Sequence, residues 1–168
     1  MSKKKTMTIL ISVIVGGIGL DLLSKLLVSG LMTLGQSVTL IPGALKLTYI
    51  HNPGAAFGML SEHRWVFMVI STVAIVGIGI YLFGFCRERM LLKVGLAMII
   101  SGGLGNMIDR VFYGYVIDMI NFCLFPFWKW IFNVADAFVC VGAGLVVLAL
   151  ILDVIKEVKR KKKDENKQ

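Results

Sequence analysis

Acidic residues, cysteine and histidine are scarce in this sequence, and each shortage narrows the chemistry that the chain can perform. Only 10 of its 168 residues are Asp or Glu, against 18 Lys and Arg. The three cysteines, Cys86, Cys123 and Cys140, are odd in number, widely spaced and mostly in apolar surroundings. This pattern argues against a disulfide framework or a cysteine-based metal site and indicates small buried apolar side chains.

The sequence also lacks the motifs of common hydrolytic sites. No serine lies in a G-x-S-x-G turn, and His51 and His63 have no serine or cysteine partner in a recognisable pattern. The H-E-x-x-H spacing of zinc peptidases is absent. A zinc site built from the two histidines and an aspartate stays open as a weaker alternative. We expect neither a metal nor a cofactor.

What the chain has in excess is apolar sequence. Apolar residues make up 57% of it and the mean hydropathy is +0.83, whereas soluble domains are about 45 to 50% apolar. The longest apolar runs could each cross a bilayer. The sequence therefore predicts an all-α membrane bundle of four transmembrane helices in a single domain, residues 1–168. Its expected parts are spans at about 7–28, 65–86, 90–112 and 133–155, outer loops at 29–64 and 113–132, and a basic cytoplasmic tail at 156–168.

The positive charge has a topological explanation. A formal charge of +8 and a pI near 9.6 also occur in nucleic-acid-binding domains. Thirteen of the Lys and Arg residues, however, lie in three short clusters beside apolar segments: the N-terminus, the turn between the second and third spans, and the C-terminal tail. Because basic loops stay on the cytoplasmic side, we expect both termini in the cytoplasm and no nucleic-acid partner.

The first outer loop predicts a small sheet. Residues 37–41, SVTLI, and residues 44–50, ALKLTYI, have the composition of short strands and are separated by a Pro-Gly turn. An antiparallel pair is therefore expected at the outer face of the membrane. Gly54, Ala55 and Ala56 follow, and residues of this size would let a surface loop approach another chain closely.

Three carboxylates, Asp109, Asp118 and Asp136, lie inside or beside apolar segments, where ionisable groups mark functional sites. Asp118 is expected in or near the second outer loop. On one helix it would lie roughly 27 Å from Asp136, so the two could meet only if the chain folds back. Pro126 lies between them and favours such a reversal. Two carboxylates in one site can share a proton and activate water for peptide hydrolysis without a metal.

Structural roles for the acidic residues stay open at this stage. Asp21 and Lys25 are four residues apart and can form an ion pair on one helix face. Asp109 can pair with a basic residue, and Asp136 can cap the fourth helix. Two other functions also stay open. One is a small proton-coupled transporter, and the other is a non-catalytic membrane assembly subunit in which the aspartates are ion-pair partners.

Five blocks of sequence follow one another along the chain: DLLSK at 21–25, HNPGAAFG at 51–58, GGLGNMIDR at 102–110, GYVIDMI at 114–120 and FNVAD at 132–136. In order and spacing they resemble the signature blocks of the bacterial lipoprotein signal peptidase family, signal peptidase II, and the match extends over nearly the whole chain. Two features depart from the family pattern. Leu22 replaces the usual Gln of the first block, and Trp130 and Ile131 stand where a Pro commonly precedes the last one.

The resemblance implies an aspartyl peptidase with four membrane helices, a small β-sheet and a short surface helix on the outer face. Carried over by motif, the catalytic pair is Asp118 and Asp136. The positions that would bind substrate or support the pair are Asn52, Gly54, Asn106, Arg110 and Asn133. The positions that would give structural polar support are Asp21, Lys25 and Asp109.

The resemblance also implies a substrate and a location. The family cleaves the signal peptide from diacylglyceryl-modified prolipoproteins just before the lipidated Cys. The expected partners are these prolipoproteins and membrane lipids, and we expect a monomer. The expected location is the bacterial cytoplasmic (inner) membrane, with the active site near the outer leaflet.

Overall fold

The computed structural model of the protein describes residues 2–54, 64–86, 89–124 and 130–165. These residues contain four long helices. They are α1 (Lys3–Leu31), α2 (Arg64–Ile80, continued by a π-helical turn at Tyr81–Phe85), α3 (Met90–Phe112) and α4 (Val134–Glu165). Each of the four is long and apolar enough to cross a membrane. This confirms the expected four-helix membrane bundle.

Helices α1 and α4 extend beyond the apolar runs that identify them. They have 29 and 32 residues, which correspond to roughly 44 and 48 Å, against a hydrocarbon thickness of about 30 Å. The extra turns carry the lysines of the two ends of the chain. The segment expected as a basic tail is therefore helical as far as Glu165, because Lys, Arg and Glu are good helix formers in water.

Helix α3 lies at the centre of the bundle and packs against α1, α2 and α4. Its contact with α4 depends on glycine. A Cβ on Gly142 would lie 2.6 Å from the Gly95 carbonyl oxygen, and a Cβ on Gly95 would lie 2.8 Å from the Gly142 carbonyl oxygen. Farther along the same interface, Gly102 lies directly against the Ala135 carbonyl. Small residues thus let the two backbones meet, as close packing of membrane helices requires.

A four-stranded antiparallel sheet is formed by the segments that connect α1 to α2 and α3 to α4. Its strands are β1 (Ser37–Ile41), β2 (Leu45–Asn52), β3 (Val116–Phe122) and β4 (Ile131–Phe132), and they are ordered in the sheet as in the chain. Strands β1 and β2 confirm the predicted pair. Gly43 provides the positive φ of +72° in the turn between them, a conformation that residues with a Cβ rarely adopt.

The second outer loop differs from the expectation, because β3 and β4 lie in it. Asp118, predicted in or near a loop, lies in β3 opposite Ile50. Helix α3 ends at Phe112, and Gly114, two residues beyond it, has a φ of +81° that turns the chain back into the strand. The first four residues of β3 are all buried. The strand therefore lacks the alternation of polar and apolar residues that reveals a half-exposed strand in a sequence.

Some expectations concern residues outside the described ranges. The described residues contain no short surface helix, and parts of both outer loops, 55–63 and 125–129, lie outside them. Ala55 and Ala56, Pro126 and the second histidine, His63, also lie there.

Candidate active site

Asp136 and Asn133 form a reciprocal cap at the start of α4. The Asn133 side-chain oxygen accepts a hydrogen bond from the Asp136 N–H at 2.9 Å, and Asp136 Oδ2 accepts one from the Asn133 N–H at 3.2 Å. This is a capping box, in which two residues three apart satisfy each other's backbone donors at a helix N-terminus. The capping role considered for Asp136 is therefore present. It occupies only one of the two carboxylate oxygens.

Asp118 is almost fully buried, with 1% of its surface exposed, and amide groups hold both of its oxygens. Asn133 Nδ2 donates to Asp118 Oδ1 at 2.6 Å, and Asn52 Nδ2 donates to Asp118 Oδ2 at 2.8 Å. Asn52 is itself oriented by the Gly54 N–H, which donates to its side-chain oxygen at 3.1 Å. The side chain of Asp118 is thus fixed by residues from β2 and from the start of α4.

Asn106 completes the arrangement from α3. Its Nδ2 donates to Asp136 Oδ1 at 2.8 Å, and its oxygen accepts from Asn133 Nδ2 at 2.9 Å. Asn133, with no exposed surface, therefore contacts Asp118, Asp136 and Asn106 at once. The two aspartates belong to one continuous hydrogen-bonded network, although they come from different elements.

Both aspartates line a small cavity of about 40 Å³, which has room for water, since a buried water needs roughly 10 to 15 Å³ of such volume. The remaining lining residues are Asn52, Asn106, Arg110, Val116 and Trp130. Sequence reasoning selected three of these five for the site. Val116 has no chemical signal in the sequence, and Trp130 departs there from the family pattern but does not stand out as a site residue.

Arg110 brings a positive charge to this cavity. Its two terminal nitrogens donate to backbone carbonyls, Nη1 to Asn106 and Nη2 to Gly54, each at 3.3 Å. The guanidinium therefore connects the last turn of α3 to the segment that follows β2. It also lies where it can attract an anionic group in the cavity.

Burial changes the acidity of Asp118. Loss of solvent raises the pKa of its carboxyl from 3.8 to about 7, and the neighbouring charge of Asp136 adds to this rise. Hydrogen bonds from Asn52 and Asn133 act in the opposite direction, because they stabilise the ionised form. Asp118 therefore exchanges its proton near neutral pH, where acid and base catalysts are most effective.

A buried ionic cluster supports the network from behind. Lys25 Nζ lies 2.7 Å from Asp21 Oδ2 and 2.9 Å from Asp109 Oδ2, and it donates to Asn106 Oδ1 at 3.0 Å. All three charged side chains are buried. The predicted pairing of Asp21 with Lys25, and of Asp109 with a basic residue, is thus present, and one lysine serves both carboxylates.

The same carboxylates also hold backbone groups. Asp21 Oδ1 accepts from the Ala135 N–H at 2.9 Å, and Asp109 Oδ2 accepts from the Ile117 N–H at 3.1 Å. The cluster thus connects α1 and α3 to the start of α4 and to β3, at the residues that directly precede Asp136 and Asp118. No side-chain pattern in the sequence could have revealed these two backbone partners.

His51 belongs to an aromatic group. Its Nε2 lies 2.9 Å from the Tyr49 hydroxyl, and its ring stacks on Tyr115 at 3.8 Å between centroids. Burial lowers the pKa of His51. Within the described residues, no three His, Cys, Asp or Glu side chains are grouped so as to hold a metal, and His63 is not among those residues.

Comparisons with a family model and with curated proteins point to the same family. A family model described as Signal peptidase (SPase) II matches residues 3–152. The chain is 39% identical over 140 residues to the lipoprotein signal peptidase of Desulfitobacterium hafniense, covering 83% of this chain and 91% of that one. It is also 39% identical over 142 residues to the lipoprotein signal peptidase of Halalkalibacterium halodurans, covering 84% and 91%.

Two solved structures, both described as bacterial membrane enzymes, have a similar fold. One superposes with a TM-score of 0.82 at 30% identity, covering 88% of this chain and 90% of the solved chain. The other has a TM-score of 0.78 at 30% identity, covering 85% and 92%. With the four membrane helices, these matches define a multi-pass bacterial membrane enzyme. The chain belongs to the signal peptidase II family, a family of aspartic peptidases.

Proposed function

We propose that this protein removes the signal peptides of diacylglyceryl-modified prolipoproteins by cleaving just before the lipidated Cys, with Asp118 and Asp136 as the catalytic pair. The observation that carries the proposal is that both carboxylates line one water-sized cavity, with the Asn133 side chain donating to the Asp118 carboxylate and accepting from the Asp136 backbone N–H. Family membership supports the substrate class, since the curated relatives are lipoprotein signal peptidases.

The chemistry follows from one proton shared by two carboxylates. The ionised carboxylate takes a proton from water as the water oxygen attacks the scissile carbonyl carbon, and the protonated carboxylate donates to the carbonyl oxygen. The tetrahedral intermediate then collapses as the carboxyl group that took the proton from water gives it to the leaving nitrogen. The C–N bond breaks, and the other carboxylate takes a proton back from a hydroxyl of the intermediate. The raised pKa of Asp118, about 7, suits a group that must carry a proton in one step and lose it in another.

The amide residues keep the pair in position for these transfers. Asn52 and Asn133 donate to Asp118, while Asn106 donates to Asp136. We assign Arg110 and Gly54 to the substrate side of the site, because the Arg110 guanidinium lines the cavity and donates to the Gly54 carbonyl. Asp21, Lys25 and Asp109 act as structural support behind these residues.

We also propose a cytoplasmic location for both termini and an active site near the outer leaflet. The aspartates and their partners lie at the end of α3 and the start of α4, whereas the basic residues gather at the start of α1, the start of α3 and the end of α4. Basic ends remain on the cytoplasmic side. A lipid-modified Cys anchors its acyl chains in the bilayer, so its scissile bond lies at the interface that this site would face.

Cleavage of a synthetic lipidated prolipoprotein peptide by the purified protein tests the proposal. We expect Asp118→Asn and Asp136→Asn each to lower kcat/KM by at least about 100-fold, because an amide can neither accept nor donate the required proton. Asp153→Asn is the matched control, since Asp153 is an acid that pairs with Arg89 far along α4 from the site. Full activity in either site variant would refute the catalytic pair, whereas no cleavage by the unaltered protein would refute the peptidase and favour an ion-pairing role of the aspartates in a transporter or assembly subunit.

A further inference from the structure

A second and larger cavity lies at the other end of the bundle from the aspartates. Its volume is about 520 Å³, and it is a half-open cleft lined by the start of α1, the π-helical turn that follows α2 and the first turn of α3. Apolar side chains form one wall, among them Met7, Leu10, Leu82 and Phe83. A cavity of this size and lining accommodates part of an acyl chain.

Two lysines make this cavity cationic. Lys3 and Lys93 both line it, and among the residues that the structure describes neither has a carboxylate within 4.0 Å. The helices reinforce the charge. Both α1 and α3 present their N-terminal ends here without an acidic residue in the first turn, and a helix N-terminus carries partial positive charge.

From these observations we infer that the cavity binds an anionic phospholipid, with the phosphate between Lys3 and Lys93 and an acyl chain along the apolar wall. Basic pockets between membrane helices on the cytoplasmic side are suited to anionic headgroups. The chemistry of the ligand follows from the cavity itself. Its assignment to the cytoplasmic leaflet rests on the topology proposed above.

Retention of lipid by the purified full-length protein tests this inference. The protein is transferred into micelles that contain equal amounts of phosphatidylglycerol and phosphatidylcholine, and the bound lipid is measured by native mass spectrometry. We expect a preference for phosphatidylglycerol. Replacing Lys3 and Lys93 by Gln should weaken its binding about fivefold per lysine, which corresponds to the roughly 1 kcal/mol that one cation contributes near an anionic lipid surface.

The matched control is the double variant Lys156→Gln/Lys159→Gln, which removes the same charge from the basic end of α4 without touching the cavity lining. Equal retention of the two lipids would overturn the inference, and so would an equal loss of binding in the control variant. Displacement of the lipid by soluble glycerol 3-phosphate at similar concentrations would also overturn it, because the site would then select a free anion.

Peptide cleavage by the same variants separates this inference from the proposed function. Because Lys3 and Lys93 are remote from the aspartates, the variant with both of these lysines replaced by Gln should still cleave the prolipoprotein peptide in detergent. If the unaltered protein fails to cleave the peptide but retains phosphatidylglycerol selectively, the proposed function fails and the lipid site stands. Thermal unfolding in detergent should show the same midpoint for the control and the cavity variants.

Discussion

Asn133 donates its side-chain amide to Asp118 across 2.6 Å, while the oxygen of the same amide caps the backbone of Asp136. One side chain therefore has two duties. It starts α4 in the register that brings Asp136 to the cavity, and it holds Asp118 at the opposite wall. The two duties use different atoms, so they can be separated by mutation.

Replacement of Asn133 should reveal both duties. Asn133→Ala removes the cap and the donor, so we expect cleavage activity to be nearly lost and stability to fall by about 1 kcal/mol, a typical value for an N-cap. Asn133→Ser retains a capping oxygen but is too short to reach Asp118. It should restore the thermal unfolding midpoint without restoring kcat. Full activity in the Ser variant would show that donation to Asp118 is dispensable.

The pKa of Asp118 predicts how activity changes with pH. Burial raises this pKa to about 7, so the carboxyl is protonated below that value and ionised above it. The proposed mechanism requires one proton on the pair, and we therefore expect kcat/KM to fall above pH 7, by about tenfold per pH unit once the proton is lost. Peptide cleavage measured between about pH 5 and 9 at constant ionic strength checks the predicted fall. A flat profile above pH 7 would contradict it.

The same shift predicts a stability change with a definite sign. Because the folded pKa of Asp118 lies above its unfolded value of 3.8, its contribution to stability is fully present below pH 3.8 and is lost as the pH rises through about 7. Asp118→Asn removes this contribution. The difference in unfolding midpoint between the unaltered protein and this variant should therefore move in favour of the variant between pH 4 and pH 8. A constant difference would contradict the raised pKa.

Lys25 should be far more important for stability than an exposed cation. Lys25→Met leaves Asp21 and Asp109 buried without their shared partner, and breaking a buried ion pair in this way costs about 3 to 5 kcal/mol. Arg89→Met is the comparison. It breaks the Arg89–Asp153 pair, whose side chains are each 39% exposed, and exposed pairs contribute about 0 to 1 kcal/mol. Similar unfolding midpoints for the two variants would refute the structural role of Lys25.

Two glycines of α4 provide a test of helix packing. A Cβ on Gly142 would meet the Gly95 carbonyl and Ile99, whereas a Cβ on Gly144 would meet no atom within 4 Å. We expect Gly142→Leu to separate α3 from α4 and to lower both the unfolding midpoint and the cleavage rate, because α4 also carries Asp136. Gly144→Leu should leave both nearly unchanged. Equal behaviour of the two variants would refute this interface.

The sequence was sufficient where a local pattern carried the information. Four apolar runs predicted the helices, since a segment that crosses lipid must be apolar along its length. The pair β1 and β2 was visible in its composition and its Pro-Gly turn. The spacing of Asp21 and Lys25 predicted their ion pair, because residues four apart on a helix are neighbours.

Only the tertiary structure decided which distant residues meet. Asn52 and Asp118 are 66 positions apart, and Asp21 and Ala135 are 114 apart, yet each pair is joined by a hydrogen bond. Such contacts depend on how closely glycine lets α3 approach α4 and on the turn at Gly114 that directs β3 into the sheet. Neither the close approach of these helices nor the position of this turn is encoded by the periodicity of a single segment. The residues of the candidate site could therefore be proposed from the sequence, but their network and the acidity of Asp118 arise from burial and packing in the folded chain.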